Sequence, residues 1–232
     1  MNTKPIIEVY PLQGLIPYGP AWELQKKWVK EIDQGLRNSS LLLLQHFPTY
    51  TMGREGKEEH ILFDREAFRK QGGEIAYVDR GGDVTYHGPG QIVGYPIIEL
   101  SHYAGGPHEY LRDLEEVIIR TLSLHGIRGE RKSPYTGVWV GDRKICAIGV
   151  KLNRGVNKRQ FITSHGFALN VSCDLTMFDR IIPCGIRQYP VTSILEILGK
   201  DVEISQITHQ IVQQFNEVFG MTSCFKESFL IS

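Results

Sequence analysis

Between two apolar runs the chain reads RGGDVTYHGPGQIVGY, from Arg80 to Tyr95. Arg80, Thr85, Tyr86 and His87 can all hydrogen-bond, and they crowd beside Gly81, Gly82 and Gly88. Glycine carries no Cβ, so a ligand can lie directly against the main chain there. A bare backbone flanked by polar side chains suits an elongated substrate ending in an amide or thioester. Spacing argues against a phosphate loop: there is neither GxxxxGK[ST] nor a GxGxxG opening a helix. Pro89 and the apolar run beyond Gln91 predict another strand, so no helix N-terminus waits for an anion. The competing reading is a tight turn between adjacent strands, where Gly and Pro are the usual residues.

The other reactive groups are four cysteines, Cys146, Cys173, Cys184 and Cys224. They form no C-x-x-C, and no paired His spacing completes a zinc set, so neither a structural metal nor a disulfide framework is expected. An ordinary thiol, with pKa ~8.5, is only a few per cent thiolate at neutral pH, so a nucleophile needs access and a nearby cation. Two cysteines compete for that role. Cys184 stands in IIPCGIRQYP, where Pro183 and Gly185 stop regular structure and can present a side chain at a turn. Cys146 stands in KICAIGV two residues after Lys144, which in a strand puts both on one face. Its apolar surroundings fit a buried thiol equally well, and burial raises thiol pKa. Cys173 and Cys224 read as packing residues.

The elements that must position these groups are legible from periodicity. Leu24, Trp28, Ile32 and Leu36 form one stripe of a helix from about Ala21 to Leu36, followed by the strand LLLLQHF. FDREAFRKQGG reads as a short helix capped by Asp64 and stopped at Gly72, and EIAYVD as a strand. IVGYPIIEL is a further strand, and Pro107 opens a second long helix with Leu111, Leu114, Ile118 and Leu122 on one face. TGVWVGDRKICAIGVKL is a hairpin about Gly141-Asp142, and FITSHGFALNV is another strand. SILE has the capping-box spacing with Gly199 as stop, and a last helix aligns Ile204, Ile207, Ile211, Phe215 and Val218. Strands clustered among helices without regular alternation predict an α+β fold with a mixed sheet. The whole chain, 1–232, reads as one catalytic domain, with a small C-terminal extension from about Ser193 as the variant of that reading.

Composition is that of an ordinary globular protein. Twenty-six Lys and Arg balance 26 Asp and Glu, so no global charge points to nucleic acid or to an anionic membrane. No apolar run reaches the ~18–20 residues of a membrane span, and the N-terminus has no secretion pattern. The expected setting is cytoplasmic, with thiols reduced.

RGG-x-x-T-aromatic-H-x-x-G-Q-x-x-x-Y, matched at Arg80, Gly81, Gly82, Thr85, Tyr86, His87, Gly90, Gln91 and Tyr95, resembles the signature of the octanoyl-[acyl-carrier-protein]:protein octanoyltransferases. The similarity extends over most of the chain, including KICAIGV, SHGFALNV and IIPCGI. It implies the mixed sheet flanked by helices shared with biotin and lipoate protein ligases. It also implies that Cys184 is the acyl-thioester cysteine and that Lys144 lowers its pKa, which breaks the tie with Cys146. Substrate-binding positions implied in the same way are Arg80, Gly81, Gly82, Asp83, Val84, Thr85, Tyr86 and His87, then Ala147, Ile148 and Gly149, then Gly166, Phe167 and Ala168. His87 and His165 stay open between core histidines and groups of the site.

The implied donor is octanoyl-acyl carrier protein. The implied acceptors are lipoyl domains of 2-oxoacid dehydrogenase E2 subunits and the glycine cleavage H protein. No cofactor or metal is implied. Arg143, Lys151, Arg154, Lys158 and Arg159 are candidates for docking these acidic partners. The rival of the same fold is an ATP-dependent lipoate or biotin protein ligase, which would also use Lys144 but has no need of Cys184. A non-catalytic protein holding carrier or lipoyl domains is the other alternative.

Overall fold

The computed structural model describes residues 4–100, 106–156, 161–182 and 190–229. Strand β1 (Ile6–Ile16) precedes helix α1 (Tyr18–Asp33), then β2 (Ser40–His46), β3 (Thr49–Met52), α2 (Arg65–Lys70), β4 (Glu74–Tyr77), β5 (Val84–His87) and β6 (Gln91–Ile97). Helix α3 (Gly106–Ser123) leads to β7 (Glu130–Lys132), β8 (Tyr135–Val140), β9 (Arg143–Arg154) and β10 (Phe161–Asn170). Helices α4 (Ile194–Leu198) and α5 (Ile204–Phe219) and the edge strand β11 (Thr222–Phe225) complete the described order.

Eight strands form a mixed sheet in the order β11-β1-β2-β6-β10-β9-β8-β7, parallel at its β11-β1-β2 end and antiparallel elsewhere. Three more form a small sheet, β4-β3-β5. Helices α3 and α5 cover one face of the large sheet through Leu114, Ile118, Ile207, Ile211 and Phe215, packed on Val9, Leu41, Leu43 and Leu169. Helix α1 covers the other face through Trp28 and Ile32 against Leu42, Leu44 and Tyr95. The small sheet has its own aromatic core of Tyr50, Phe68, Tyr86 and Phe178. This is the α+β, mixed-sheet architecture read from the element pattern.

Several local signals act as expected. Asp64 accepts from the amides of Glu66 and Ala67 and starts α2. Ser193 accepts from Glu196 to start α4, and Gly199 closes it in the left-handed region. Gly141 turns the β8–β9 hairpin at φ 58°. Other expectations are corrected. Helix α1 begins three residues earlier and ends before Leu36, which lies beyond the left-handed Gly35 and is 74% exposed. The buried stripe is therefore Ala21, Gln25, Trp28 and Ile32. The glycine-rich stretch does not join neighbouring strands: it contains β5 and carries the chain from the small sheet to β6 in the large one. At the C-terminal end, α5 packs against α3 and β11 pairs with β1. Cys224, on that edge strand, is exposed and so is not the packing residue expected. Among the described residues no helix is long and apolar enough to cross a membrane.

Glu115 shows how the β7–β8 arm is held. It is fully buried on α3, accepts from the Gly137 amide at 3.0 Å, and meets Arg112 and Arg131 at 2.7 and 3.1 Å. Glu115→Ala leaves the Gly137 amide without its acceptor, while Arg131 keeps Glu116 and both guanidinium groups reach water, so a loss of about 1–2 kcal/mol is expected. Urea denaturation of the variant checks it, and an unchanged midpoint would show that the arm is held by other contacts.

Candidate active site

A cleft of about 480 Å³ opens between the two sheets. One wall is the β9–β10 pair, Ala147 to Val150 against His165 to Ala168, in the register Ala168↔Ala147, Phe167↔Ile148, Gly166↔Gly149. The facing wall is the Arg80–Gly82 turn with Val84, Thr85 and His87. The turn is pinned to β9 by the Gly81 amide, which donates to the Val150 carbonyl at 3.0 Å. Arg80 holds it from the other side, donating to the Thr51 carbonyl and hydroxyl at 2.7 and 2.8 Å and to the Gly81 carbonyl at 3.0 Å. Arg80 is thus buried beneath the turn and shapes it. Gly81 is bare toward the cleft, because a Cβ there would meet nothing nearer than the Val150 carbonyl at 3.5 Å.

Lys144 also lines the cleft, with Nζ 4.8 Å from the centre of the Trp139 ring. It reaches this face through an irregularity. Between the pairs Val138↔Cys146 and Trp139↔Lys144, β9 carries one residue more than β8, a β-bulge. The extra residue breaks the alternation, so Ile145 and Cys146 both turn into the core shared with α3. The expectation that Lys144 and Cys146 share a face is therefore wrong. Cys146 is fully buried, and desolvation drives its thiol far above the usual range despite Lys144 nearby. Burial likewise pushes the Cys173 thiol up to about 12. Burial thus disfavours the thiolate at both positions.

Cys184 lies outside the described residues, as do Lys158 and Arg159. The residues flanking 183–189 are described, and both ends are tied to the site. On the near side Ile182 donates to the His60 carbonyl at 2.9 Å, beside the 3-10 turn Glu58–His60. On the far side the Lys144 amide donates to the Pro190 carbonyl at 2.9 Å, and the Thr192 amide donates to the Lys144 carbonyl at 3.0 Å. Val191 itself lines the cleft.

Two implied binding residues turn away from the cleft. Asp83 pairs with His60 and accepts from the Lys57 and Val84 amides, which locks the Gly82–Val84 corner. Tyr86 packs its ring on Tyr50 and Phe178 in the small-sheet core. Of the docking candidates, Arg143 pairs with Glu196, Lys151 with Asp79 at 2.6 Å, and Arg154 covers the Phe161 ring. Residues with no reading in the sequence beyond core or fold also line the cleft, among them Tyr18, Glu55, Tyr95 and Asn170. Tyr18 had no signal, being the first residue of α1. Gln91, Tyr95 and Asn170 stand within the segments already singled out.

His87 and His165 line the cleft, and His46 is buried behind them against Tyr18, His87 and Tyr95. Desolvation lowers His46 to about 4 and His87 well below the usual imidazole range. His165, at φ 57°, donates Nε2–H to Asp79 at 2.9 Å, which leaves Nδ1 facing the Tyr18 hydroxyl at 3.5 Å. Burial outweighs Asp79 and lowers His165 as well. An unfolded imidazole titrates near pH ~6.5, whereas folded His46 stays neutral to about pH 4, so its contribution is present above the first value and lost on the way down to the second. That one residue accounts for about 3 kcal/mol. Denaturant midpoints measured from pH 7 to 4 are expected to fall steadily below 6.5, and less steeply in His46→Gln. A flat wild-type profile down to pH 4.5 would contradict it. Among the described residues no His, Cys, Asp and Glu cluster could hold a metal ion.

The lipoyl protein ligase A/B catalytic domain family model matches residues 17–216. The octanoyltransferase of Rubrobacter xylanophilus is 50% identical over 94% of this chain and 96% of its own length. The octanoyltransferase of Gloeobacter violaceus is 44% identical over 90% and 88%. The chain belongs to this octanoyltransferase family. Solved structures share its fold: lipoate-protein ligase A bound with ATP has a TM-score of 0.74 at 16% identity, covering 95% of this chain and 90% of its own. A bipartite lipoate protein ligase from Thermoplasma acidophilum gives 0.72 at 16% identity, covering 99% and 88%. In this octanoyltransferase-family enzyme the RGG segment lies on one wall of the cleft, and KICAIG and SHGFALN lie side by side on the wall facing it.

Proposed function

We propose that the cleft moves an octanoyl group from an acyl carrier protein thioester to a lysine of a lipoyl domain, through a thioester on Cys184. The observation that carries the reading is the convergence at Lys144. The apolar groove of Ala147–Gly149 and Gly166–Ala168 starts there, and the segment that follows residues 183–189 bridges to its main chain at Val191. In the first step the Cys184 thiolate attacks the thioester carbonyl, the tetrahedral oxyanion collapses, and the carrier thiolate leaves and takes up a proton. In the second, the neutral ε-amine of the acceptor lysine attacks the Cys184 thioester, an amide forms, the amine gives up a proton, and the cysteine is released. Lys144 supports the thiolate as a nearby cation. Main-chain amides at the glycine turns are the donors for the oxyanion, a role worth ~3–4 kcal/mol per donor. The bare backbone at Gly81 lets the chain lie flat against the turn.

β11 and α5 share the sheet and core of the cleft strands, which supports reading the chain as one catalytic unit. The test is intact mass after brief mixing with octanoyl-acyl carrier protein in the absence of ATP. An octanoyl adduct is expected on wild type and Cys146→Ala and not on Cys184→Ala. Octanoylation of a lipoyl domain with no adduct on any protein would mean direct transfer. Activity only with ATP and free octanoate would make the chain a ligase.

A further inference from the structure

A buried chain of hydrogen bonds runs from Arg80 beneath the cleft to the main chain of Lys144, and its direction can be assigned at every link. Arg80 donates to the Thr51 hydroxyl, so the hydroxyl hydrogen is free to point at His87 Nε2, 3.3 Å away. Gln91 Nε2 donates to the Tyr86 carbonyl at 3.1 Å and to Asn170 Oδ1 at 2.9 Å. That leaves Gln91 Oε1 as the atom 2.9 Å from His87 Nδ1, so the neutral ring carries its proton on Nδ1 and accepts from Thr51 at Nε2. Asn170 Oδ1 is taken by Gln91, and its Nδ2 donates to the Thr192 carbonyl at 3.0 Å. The Thr192 amide in turn donates to the Lys144 carbonyl at 3.0 Å. His87, Gln91, Asn170 and Thr192 are all buried, His87, Gln91 and Asn170 along the wall of the cleft.

We propose that Asn170 is a positioning residue for Lys144. Its side chain clamps Thr192, and the Pro190–Thr192 segment in turn holds both main-chain polar groups of Lys144, at the bulge where β9 leaves regular pairing with β8. The extra residue, Ile145, interrupts the ladder immediately beyond Lys144, where regular pairing would otherwise fix its direction from that side. The segment has other ties, from Arg143 to the Val191 carbonyl and from the Thr192 hydroxyl to Glu196. Removing the Asn170 clamp therefore leaves the fold standing and loosens the aim of Lys144. The inference rests on the reading of Lys144 as the cation that serves a reacting thiol.

The experiment reads the rate of iodoacetamide alkylation at Cys184 against pH, in a Cys224→Ser background that removes the exposed thiol. The proteins are the parent, Lys144→Met, Asn170→Ala and Asn170→Asp, the last keeping the shape should alanine fail to fold. Steady-state kinetics and melting temperatures are taken on the same samples. In the parent, the thiol is expected to titrate well below the ordinary ~8.5, and Lys144→Met to restore it. Asn170→Ala is expected to move the titration toward the Lys144→Met value and to lower kcat about tenfold, with the donor KM unchanged. An ordinary titration in the parent would defeat the Cys184–Lys144 reading itself. A depressed parent titration that Lys144→Met abolishes, with both Asn170 variants matching the parent in titration and kcat, would overturn the role of Asn170 and leave that reading intact.

Discussion

Lys144→Met is expected to lower kcat for octanoyl transfer by about 10²–10⁴, with little change in the donor KM. Lys144 is fixed by its main chain to the Pro190–Thr192 segment on one side and stands over the Trp139 ring on the other. Methionine preserves the aliphatic length and removes the charge. The loss therefore reports on what the charge does to the reacting thiol. Cys184→Ala should abolish the adduct outright, and Cys146→Ala should cost stability without costing the adduct, because that thiol is fully buried in the α3 core. Stopped-flow measurement of the first acyl transfer separates these. A Lys144→Met enzyme within threefold of wild type would sink the role assigned to that side chain.

Gly166→Ala and Gly81→Ala should fail in opposite ways. At Gly166 an added Cβ would meet the Gly94 carbonyl at 2.1 Å and Pro96 at 2.7 Å, inside the β6–β10 pair. Backbone cannot swing aside as a side chain can, so the two central strands must separate. A loss of about 2–3 kcal/mol is expected, with the melting temperature down roughly 5–10 °C for a chain of this size. Gly81→Ala meets only ordinary contact in the fold, and its methyl projects toward the cleft. The melting temperature should hold while the donor KM rises about tenfold, as expected when a ligand loses close approach to a bare backbone. Thermal denaturation and donor titration of both variants check the pair. Equal melting temperatures would show that the sheet absorbs the Gly166 methyl, and an unchanged KM in Gly81→Ala would place the acyl chain elsewhere.

What the sequence by itself determined is local or cumulative. Asp64, Ser193, Gly199 and Gly141 act through neighbours a few residues away, so their caps and turn are readable from the letters. The RGG, KICAIG and SHGFALN segments identify the family because many positions agree at once. Strand β1 was not legible, because a register shift between Pro11 and Leu15 interrupts the alternation that signals a strand. Strands β3 and β5 are only four residues each and are defined by one another. Tertiary structure alone decided the rest. It put the glycine-rich turn opposite β9 instead of between adjacent strands, and it turned Tyr86 and Asp83 away from the cleft. It also set Lys144 on the cleft face and Cys146 in the core, through one extra residue opposite Trp139. A bulge depends on which strand pairs alongside, and strand pairing joins residues far apart in the chain. A period of two read along one strand cannot contain it.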